Sequence, residues 1–421
     1  MPGSAPPLAW SIPFGLLLAS IALFPLIAHR WWEKNYPWIA LPLGLIVAVY
    51  YVFFFGGGER MLITGHEYLS FICLIGSLFV VSGGIHISLA GKLTPHQNVG
   101  LLGIGAVIAN LVGTTGAAMI LIRPFIRGNA WRWSPYHIVF FIFIVANCGG
   151  ALTPIGDPPL FLGFLKGVPF LWVLEHLWYR WAVGIVILLF MFYFLDRREY
   201  IHHPHRERVM AEEKDRFRFE GLPNIVFVAI IVGAAFVEHP VLLREGIMIA
   251  AAVASYLTTP HRIHKLNEFT FAPIREVAIL FAGIFACMVP SLDWLAVNAK
   301  SLGVTESSQF YWATGTLSAF LDNAPTYLNF LTAAMGVHGF SVDDKLQVIQ
   351  FANEHSHLLR SISIAAVFFG AATYIGNGPN FMCKSIADHA KLKTPTFVEY
   401  IYKYTLPILI PVLIVTFFLV R

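Results

Sequence analysis

Two aspartates, Asp157 and Asp322, lie in otherwise apolar stretches beside residues that interrupt helices. Asp157 belongs to the run GALTPIGDPPLF at 150–161, and Asp322 begins the run DNAPT. A carboxylate inside a membrane is costly, so it is usually kept for a function such as binding a cation or a proton. We therefore expect protons and a cation to compete at Asp157 and Asp322.

Oxygen-bearing side chains and breaks in the helices surround both aspartates. Proline lacks an N–H group and clashes with the preceding turn, so these runs leave backbone carbonyls without helical partners. Hard cations such as Na⁺ prefer oxygen ligands. The predicted cation- or substrate-binding residues are Asn110, Thr114, Thr115, Thr153, Gly156, Asp157, Asp322, Asn323, Thr326, Thr373, Gly376 and Asn377. Asp157 and Asp322 are also the predicted sodium ligands and proton carriers.

The motif around Asp157 occurs twice. Residues 150–161 align without gaps with residues 370–381, and seven of the twelve positions are identical. Each copy follows an apolar run that is interrupted by a polar cluster, at 113–116 and at 322–326. The copies differ in charge, because Asn377 replaces Asp157, whereas the second polar cluster holds Asp322. The pattern predicts two oxygen-lined pockets with one carboxylate each.

Composition defines the class of protein. Of 421 residues, 57% are hydrophobic and 12% are charged, whereas soluble domains carry about 25% charged residues. A soluble enzyme, a disordered protein and a disulfide scaffold are excluded, and a polytopic helical membrane protein remains. The basic residues form no single stripe, which argues against a nucleic-acid partner. The four cysteines lie far apart without metal or redox spacing.

We predict an all-α membrane protein of two inverted repeats, each with five transmembrane helices, including a broken one, and a re-entrant hairpin. The first repeat covers 1–195, a charged cytoplasmic linker covers 196–222, and the second repeat covers 223–421. The scaffold helices, hairpin, broken helix and final helix are predicted at 8–90, 98–126, 137–165 and 170–195, then at 223–290, 309–336, 360–391 and 396–420.

The distribution of basic residues predicts the orientation. Most of the 28 lysines and arginines fall on the side of the linker, which the positive-inside rule assigns to the cytoplasm. Both termini are then outside, and we expect the inner membrane of a bacterium. The first apolar run, from Leu8 to Ala28, lacks the basic lead of a signal peptide, so we expect it to be retained as a helix.

Three segments resemble the ion transporter superfamily: NLVGTTGAAMILIR at 110–123, ANCGGALTPIGDPPLFLG at 146–163 and LDNAPT at 321–326. They are most similar to NhaD-type sodium/proton antiporters, whose relatives are ArsB-type arsenite permeases and citrate and dicarboxylate/sodium symporters. The resemblance implies a scaffold domain, often dimerising, and a transport domain of hairpins, broken helices and final helices. The symporters carry Ser-Asn-Thr at the hairpin tips, whereas Gly113-Thr114-Thr115 lacks that asparagine. This departure favours cation exchange.

Together, the motifs, the composition and the resemblance predict a sodium/proton or lithium/proton antiporter that works by alternating access. We expect no cofactor beyond the transported cation and proton, no enzymatic activity, and a homodimer in the bilayer. An anion carrier of the same fold, for arsenite, citrate or a dicarboxylate, is the alternative. An intramembrane enzyme is a remote alternative, because no helix carries a Gly-x-Ser-x-Gly or His-Glu-x-x-His motif.

Overall fold

The computed structural model describes residues 5–204, 216–237 and 239–420. Within these ranges the chain is mostly helical. Residues 205–215 of the predicted linker, which include Arg206, Arg208 and Glu212, lie outside the described residues.

The described part of the first half, residues 5–204, contains eight α-helices and one strand. They are α1 (Ile12–Ile27), α2 (His29–Asn35), α3 (Pro37–Phe53), α4 (Gly58–Gly83), β1 (His86–Ala90), α5 (Pro95–Asn129), α6 (Pro135–Ile144), α7 (Pro158–Lys166) and α8 (Phe170–His202). Short 3-10 helices lie at Leu8–Ser11, Ala130–Arg132 and Cys148–Gly150. Proline opens α3, α5, α6 and α7, where its missing N–H costs nothing.

The described part of the second half begins with a strand and continues with helices. They are β2 (Arg216–Glu220), α9 (Asn224–Ala234), α10 (Leu243–Thr258), α11 (His261–Leu266), α12 (Ala272–Asn298), α13 (Ser307–Phe320), α14 (Asn323–His338), α15 (Lys345–Glu354), α16 (Ser356–Phe369), α17 (Gly378–His389), α18 (Phe397–Tyr400) and α19 (Ile410–Val420). A π-helix at Ile401–Leu409 joins α18 to α19, and 3-10 helices lie at Ala299–Leu302 and Gly370–Ala372.

Several helices are suited to cross a bilayer. Among the described residues, six are long and apolar enough, and a seventh is formed if α2 and α3, which bend by 50°, make one span. The six are Leu8–Ile27, Gly58–Gly83, Pro95–Arg132, Phe170–His202, Ala272–Leu302 and Phe397–Val420. The chain is therefore a polytopic helical membrane protein. The predicted five crossings per half and their inversion stay predictions.

The long helix α5 folds back on itself. Its backbone leaves helical geometry at Gly113, where φ is 78° and ψ is 157°, a conformation that glycine adopts without steric cost. The Asn98 and Asn129 side chains, near the two ends of α5, donate hydrogen bonds to each other at 2.7 and 2.8 Å. A straight helix would hold residues this far apart in sequence at about 46 Å. The two limbs of α5 thus form a hairpin with its tip at Gly113.

The second half repeats this order of elements. Helices α13 and α14 lie on either side of Leu321 and Asp322, as the limbs of α5 lie on either side of Gly113. The broken helix follows in both halves, as α6 and α7 and then as α16 and α17. The second broken helix was predicted to begin at residue 360, and it begins four residues earlier, at Ser356.

The first group of scaffold helices was predicted to reach residue 90, and this is wrong. Helix α4 ends at Gly83, and β1 pairs with β2 of the linker as an antiparallel sheet in which His86 lies opposite Glu220. The sequence of β2, RFRFE, alternates charged and aromatic residues, which is the period of a strand and not of a helix. Within the described residues the fold is otherwise helical, and residues 216–220 of the predicted linker form one of its two short strands.

The predicted start of the linker at Asp196 is also wrong. Helix α8 continues to His202, and the Asp196 side chain is fully buried. Arg132 forms an ion pair with the Asp196 carboxylate, and neighbouring donors complete its shell: Tyr136 at 3.0 Å, His137 at 3.1 Å and Asn98 at 2.9 Å. Because the charge is neutralised inside the fold, Asp196 does not end the helix.

Helix α4 is one place where the early helices meet the hairpins and breaks. It packs against α10 and α12 and also against α5 and α7, and α12 packs directly against α14. Phe71 of α4 stacks on Phe281 of α12 with ring centroids 4.7 Å apart, and it also lies 6.4 Å from the ring of Phe161 in α7. Phe71 therefore links the early helices to the helix that follows the first break.

Candidate transport site

We call the segments 150–161 and 370–381 the first and the second break. A threonine fixes each break to the neighbouring hairpin. The Thr153 hydroxyl donates to the Asn110 carbonyl at 2.6 Å and accepts from the Gly156 N–H at 3.0 Å. In the second half the Thr373 hydroxyl donates to the Ala319 carbonyl at 2.5 Å and accepts from the Gly376 N–H at 3.2 Å. Thr153 and Thr373, predicted as ligands, therefore hold the unwound backbone against the hairpins.

Close backbone contacts explain the paired glycines. A Cβ atom on Gly150 would lie 2.6 Å from the Gly156 carbonyl oxygen, and one on Gly376 would lie 2.6 Å from the Gly370 carbonyl oxygen. Real Cβ atoms essentially never approach an oxygen this closely. Each break is thus a compact loop that only glycine permits. Gly156 and Gly376, predicted as ligands, shape the loops in which the polar side chains sit.

Asp157 lies at the point where both hairpin tips and both breaks meet. One of its carboxylate oxygens accepts from the Thr114 hydroxyl at 2.8 Å and from the Asn377 amide at 3.1 Å. The other oxygen accepts from the Asn323 amide at 2.6 Å. Asp157 is 1% exposed. Four predicted site residues from four separate elements therefore form one group, which we call the Asp157 cluster.

The prediction of two pockets with one carboxylate each is not what the structure shows. Thr114 of the first tip, Asn323 of the second tip and Asn377 of the second break all contact the single carboxylate of Asp157. The two halves share one cluster because Asn323 and Asn377 of the second half reach the carboxylate of the first half. The alignment of one half with the other could not show these contacts.

Asp322 has a different environment. Its carboxylate accepts from the Ala324 N–H at 3.0 Å, which makes it the N-cap of α14. The Thr326 hydroxyl donates to the Asp322 backbone carbonyl at 2.8 Å, within the same turn. These contacts order the second tip. They are local, whereas those of Asp157 come from three other elements.

Helix ends supply the electrostatics of the cluster. Asp157 and Asn377 directly precede α7 and α17, Asn323 begins α14, and Thr114 begins the second limb of α5. A helix N-terminus carries a partial positive charge and unpaired N–H groups. Four such ends at the cluster favour negative charge there, so the Asp157 carboxylate is stabilised although its hydrogen-bond donors in the described structure are all neutral.

A small cavity adjoins Asp157 on the side of α4. It has a volume of about 30 Å³ and is lined by Leu78, Thr114, Thr115, Pro154 and Asp157, among others. A volume of this size holds about two water molecules. Thr115, a predicted ligand, lines this cavity and is not among the donors to Asp157. The space next to the carboxylate suits a small dehydrated ion.

Asn110 orders the first break. Its amide nitrogen donates to the Gly149 carbonyl at 2.7 Å and to the Ala106 carbonyl at 2.9 Å, and its oxygen accepts from the Leu152 N–H at 2.8 Å. Both the nitrogen and the oxygen of the Asn110 side-chain amide are hydrogen-bonded to backbone groups. Asn110, predicted as a ligand, is therefore a support for the loop that carries Asp157.

Two site residues, Asn147 and Asn380, were not among the predicted ligands. The Asn147 amide donates to the Asn380 side-chain oxygen at 2.5 Å, and its own oxygen accepts from the Asn377 amide at 3.1 Å. Both residues are fully buried. A signal was present in the sequence, because each is a polar residue within an apolar, broken helix. Asn380 was missed because its counterpart in the first copy is Leu160.

The fold and the site define a class, the multi-pass membrane transporters with discontinuous helices. The model of the family CitMHS_2, whose description reads "Putative citrate transport", matches residues 3–420, so the chain belongs to this family. No protein of the curated set matches the sequence. The chain is therefore a membrane protein of a transporter family, and the family description names an anion and not a cation.

Proposed function

We propose that the protein is a secondary transporter that exchanges a small cation, sodium or lithium, for protons at the Asp157 cluster. The observation that carries the proposal is the contact of one buried carboxylate with both hairpin tips and both breaks. Thr114, Asn323 and Asn377 do not titrate near neutral pH, so Asp157 is the group of this cluster that can hold either a proton or a cation.

Competition at one carboxylate couples the two fluxes. When Asp157 is ionised, it binds the cation together with neighbouring oxygens; when it is protonated, the cation is released. Thr114, Asn323 and Asn377, which contact this carboxylate, also carry oxygens that could serve as ligands. The Asn323 oxygen is buried and has no hydrogen-bond partner in the described structure. An unpaired buried oxygen is costly, and a bound cation would satisfy it.

Alternating access requires one group of helices to move. We assign the hairpins, breaks and final helices to a transport domain and the first helices of each half to a scaffold. Ion pairs cross between these groups near both ends of α4, a helix of about 39 Å. Lys166 pairs with Glu67 of α4 at 2.8 Å, and Arg123 pairs with Glu268, next to the end of α4, at 3.2 Å.

The two ends of α4 differ in the number of ion pairs near them. At the Glu67 end, Asp343 accepts from Lys166 at 3.0 Å and from Arg60 at 2.6 Å, and Arg60 also pairs with Asp293 at 3.1 Å. At the other end Glu268 is largely exposed, and an exposed pair contributes little. In this proposal, movement of the transport domain would break the first network.

Reconstitution in vesicles tests the proposal. Purified protein is placed in vesicles with an internal acidic pH and a pH-sensitive dye, and NaCl, LiCl, KCl or choline chloride is added outside. We expect Na⁺ or Li⁺ to dissipate the pH gradient and choline to have no effect. Vesicles without protein are the control. No response to any cation would refute exchange.

A carboxylate-anion carrier is the second candidate, and the family description favours it. The four helix N-termini at the Asp157 cluster would attract an anion. The 30 Å³ cavity is too small for a tricarboxylate in this state, so the site would have to open. Uptake of labelled citrate in the same vesicles, with and without Na⁺, separates the candidates: citrate uptake without a cation-driven pH change would support the anion carrier.

A further inference from the structure

The two breaks differ at one buried position that faces their backbone. In the alignment of 150–161 with 370–381, Leu160 in the first break corresponds to Asn380 in the second. Leu160 is 1% exposed and Asn380 is fully buried. An apolar side chain thus occupies this place in one half and an amide occupies it in the other.

Both N–H groups and the oxygen of the Asn380 side-chain amide have hydrogen-bond partners. Its nitrogen donates to the carbonyls of Gly370 and Thr373, both at 2.8 Å. Its oxygen accepts from the Asn147 amide at 2.5 Å, and Asn147 is held in turn by the Ile142 carbonyl at 2.8 Å. The two donor hydrogens of Asn380 therefore point at the unwound backbone of the second break, and Asn147 fixes that orientation.

These carbonyls are the groups that a cation would use. Unwound carbonyls in a broken membrane helix coordinate cations in transporters, and an NH₂ group presents two partial positive charges to the same oxygens. In the first break Leu160 has no donor for the backbone: the described hydrogen bonds include none to the Gly150 carbonyl, and the Thr153 carbonyl accepts from the Gly156 N–H at 3.0 Å. The first break also carries the negative charge of Asp157, where the second has neutral Asn377.

We infer that the Asn380 amide permanently takes the place of a cation in the second break, so that each chain binds a single cation, in the first break. Asn380 then determines the number of cations carried per cycle. The inference rests on the proposed function, since it specifies the stoichiometry of the same cluster. The cavity beside Asp157 lies against the first break, which agrees with this assignment.

Counting bound ions tests the inference without any substitution. Radioactive Na⁺ is titrated at alkaline pH onto the purified full-length protein, and bound ions are counted per chain. We expect one Na⁺ per chain, a hyperbolic curve and loss of binding in Asp157→Asn. Two Na⁺ per wild-type chain would overturn the inference and leave the proposed function intact. Binding of none would overturn both.

A reciprocal pair of variants sharpens the test. Asn380→Asp keeps the oxygen that accepts from Asn147 and replaces the donor by a negative oxygen, so we expect a second Na⁺ per chain. Leu160→Asn brings an amide to the first break, and we expect Na⁺ affinity to fall at least tenfold. One Na⁺ in N380D together with wild-type affinity in L160N would overturn the inference. The wild-type count decides the question if either variant does not fold.

Discussion

The first break and the second hairpin tip each contain one carboxylate, Asp157 buried and Asp322 partly buried, but only one of these carboxylates connects separate parts of the fold. Asp157 in the first break accepts hydrogen bonds from the side chains of Thr114, Asn323 and Asn377. Asp322 in the second tip accepts from the N–H of Ala324, two residues away in its own helix. A position beside a helix-breaking residue therefore does not by itself identify a coupling residue; the origin of its hydrogen-bond partners does.

Asp322 and Asp157 are also stabilised in two different ways. Asp322 caps one helix, and a cap contributes about 1 kcal/mol to the stability of that helix. Asp157 is held by donors from both halves, and two of these donors, Asn323 and Asn377, also carry oxygens that can bind a cation. Asn323 and Asn377 can donate hydrogen bonds to Asp157 or bind a cation through their oxygens. This suits the Asp157 carboxylate to binding a cation and releasing it.

Loss of the Asp157 charge is expected to have the largest effect. Asp157→Asn keeps the shape and one oxygen but cannot be ionised, so exchange should fall to the level of empty vesicles. In the wild type, lower pH should weaken Na⁺ binding because protons compete for the carboxylate. Any residual binding in D157N should be independent of pH. Dye-based exchange assays and Na⁺ titrations between about pH 6 and 9 measure both, and normal exchange in D157N would rule out this mechanism.

Moving the charge within the cluster is expected to have the next largest effect. The Asp157 oxygen and the Asn377 nitrogen are 3.1 Å apart. The double variant Asp157→Asn/Asn377→Asp therefore returns one carboxylate to the cluster but places it on the second break. We expect exchange that is clearly above that of D157N and several-fold below wild type. If the double variant is as inactive as D157N, the position of the carboxylate on the first break matters in its own right.

Sequence reasoning predicted the membrane class, the breaks and the four residues that form the Asp157 cluster. Asp157, Thr114, Asn323 and Asn377 were recognisable because each is polar within an apolar run and lies beside a helix-breaking residue. The folding back of α5 also followed from the run around Gly113. These features are local, and local patterns determine where a helix in a membrane can be interrupted.

Contacts between distant segments could not be predicted in the same way. The meeting of both tips at Asp157 depends on how two halves dock, and the pairing of β1 with β2 joins segments more than a hundred residues apart. Asp196 looked like the start of a charged linker, because its partner Arg132 is distant in sequence. A buried ion pair appears in the sequence as two unrelated charges.

Removal of the Thr114 hydroxyl is expected to have a moderate effect. A hydrogen bond to a charged group contributes about 1.5–3 kcal/mol, and 1.4 kcal/mol corresponds to a factor of ten in affinity. Thr114→Val should therefore weaken Na⁺ binding about tenfold or more. Thr332→Val is the matched control, since this buried hydroxyl donates within its own helix to the Leu328 carbonyl at 2.8 Å. Equal losses in T114V and T332V would contradict a specific role for Thr114.

Loss of the Asp322 charge is expected to have the smallest effect. Asparagine is as good an N-cap as aspartate, so Asp322→Asn should keep the second tip ordered and leave exchange within about threefold of wild type. Asp322→Ala removes the cap, and the protein should then lose about 1 kcal/mol of stability, seen as a lower midpoint of thermal unfolding in detergent. Because Asn323 directly follows residue 322, a disordered tip in D322A should also weaken Na⁺ binding, whereas D322N should not. If D322N abolishes exchange as completely as D157N, both carboxylates couple protons to the cation, and the difference between their hydrogen-bond partners does not determine function.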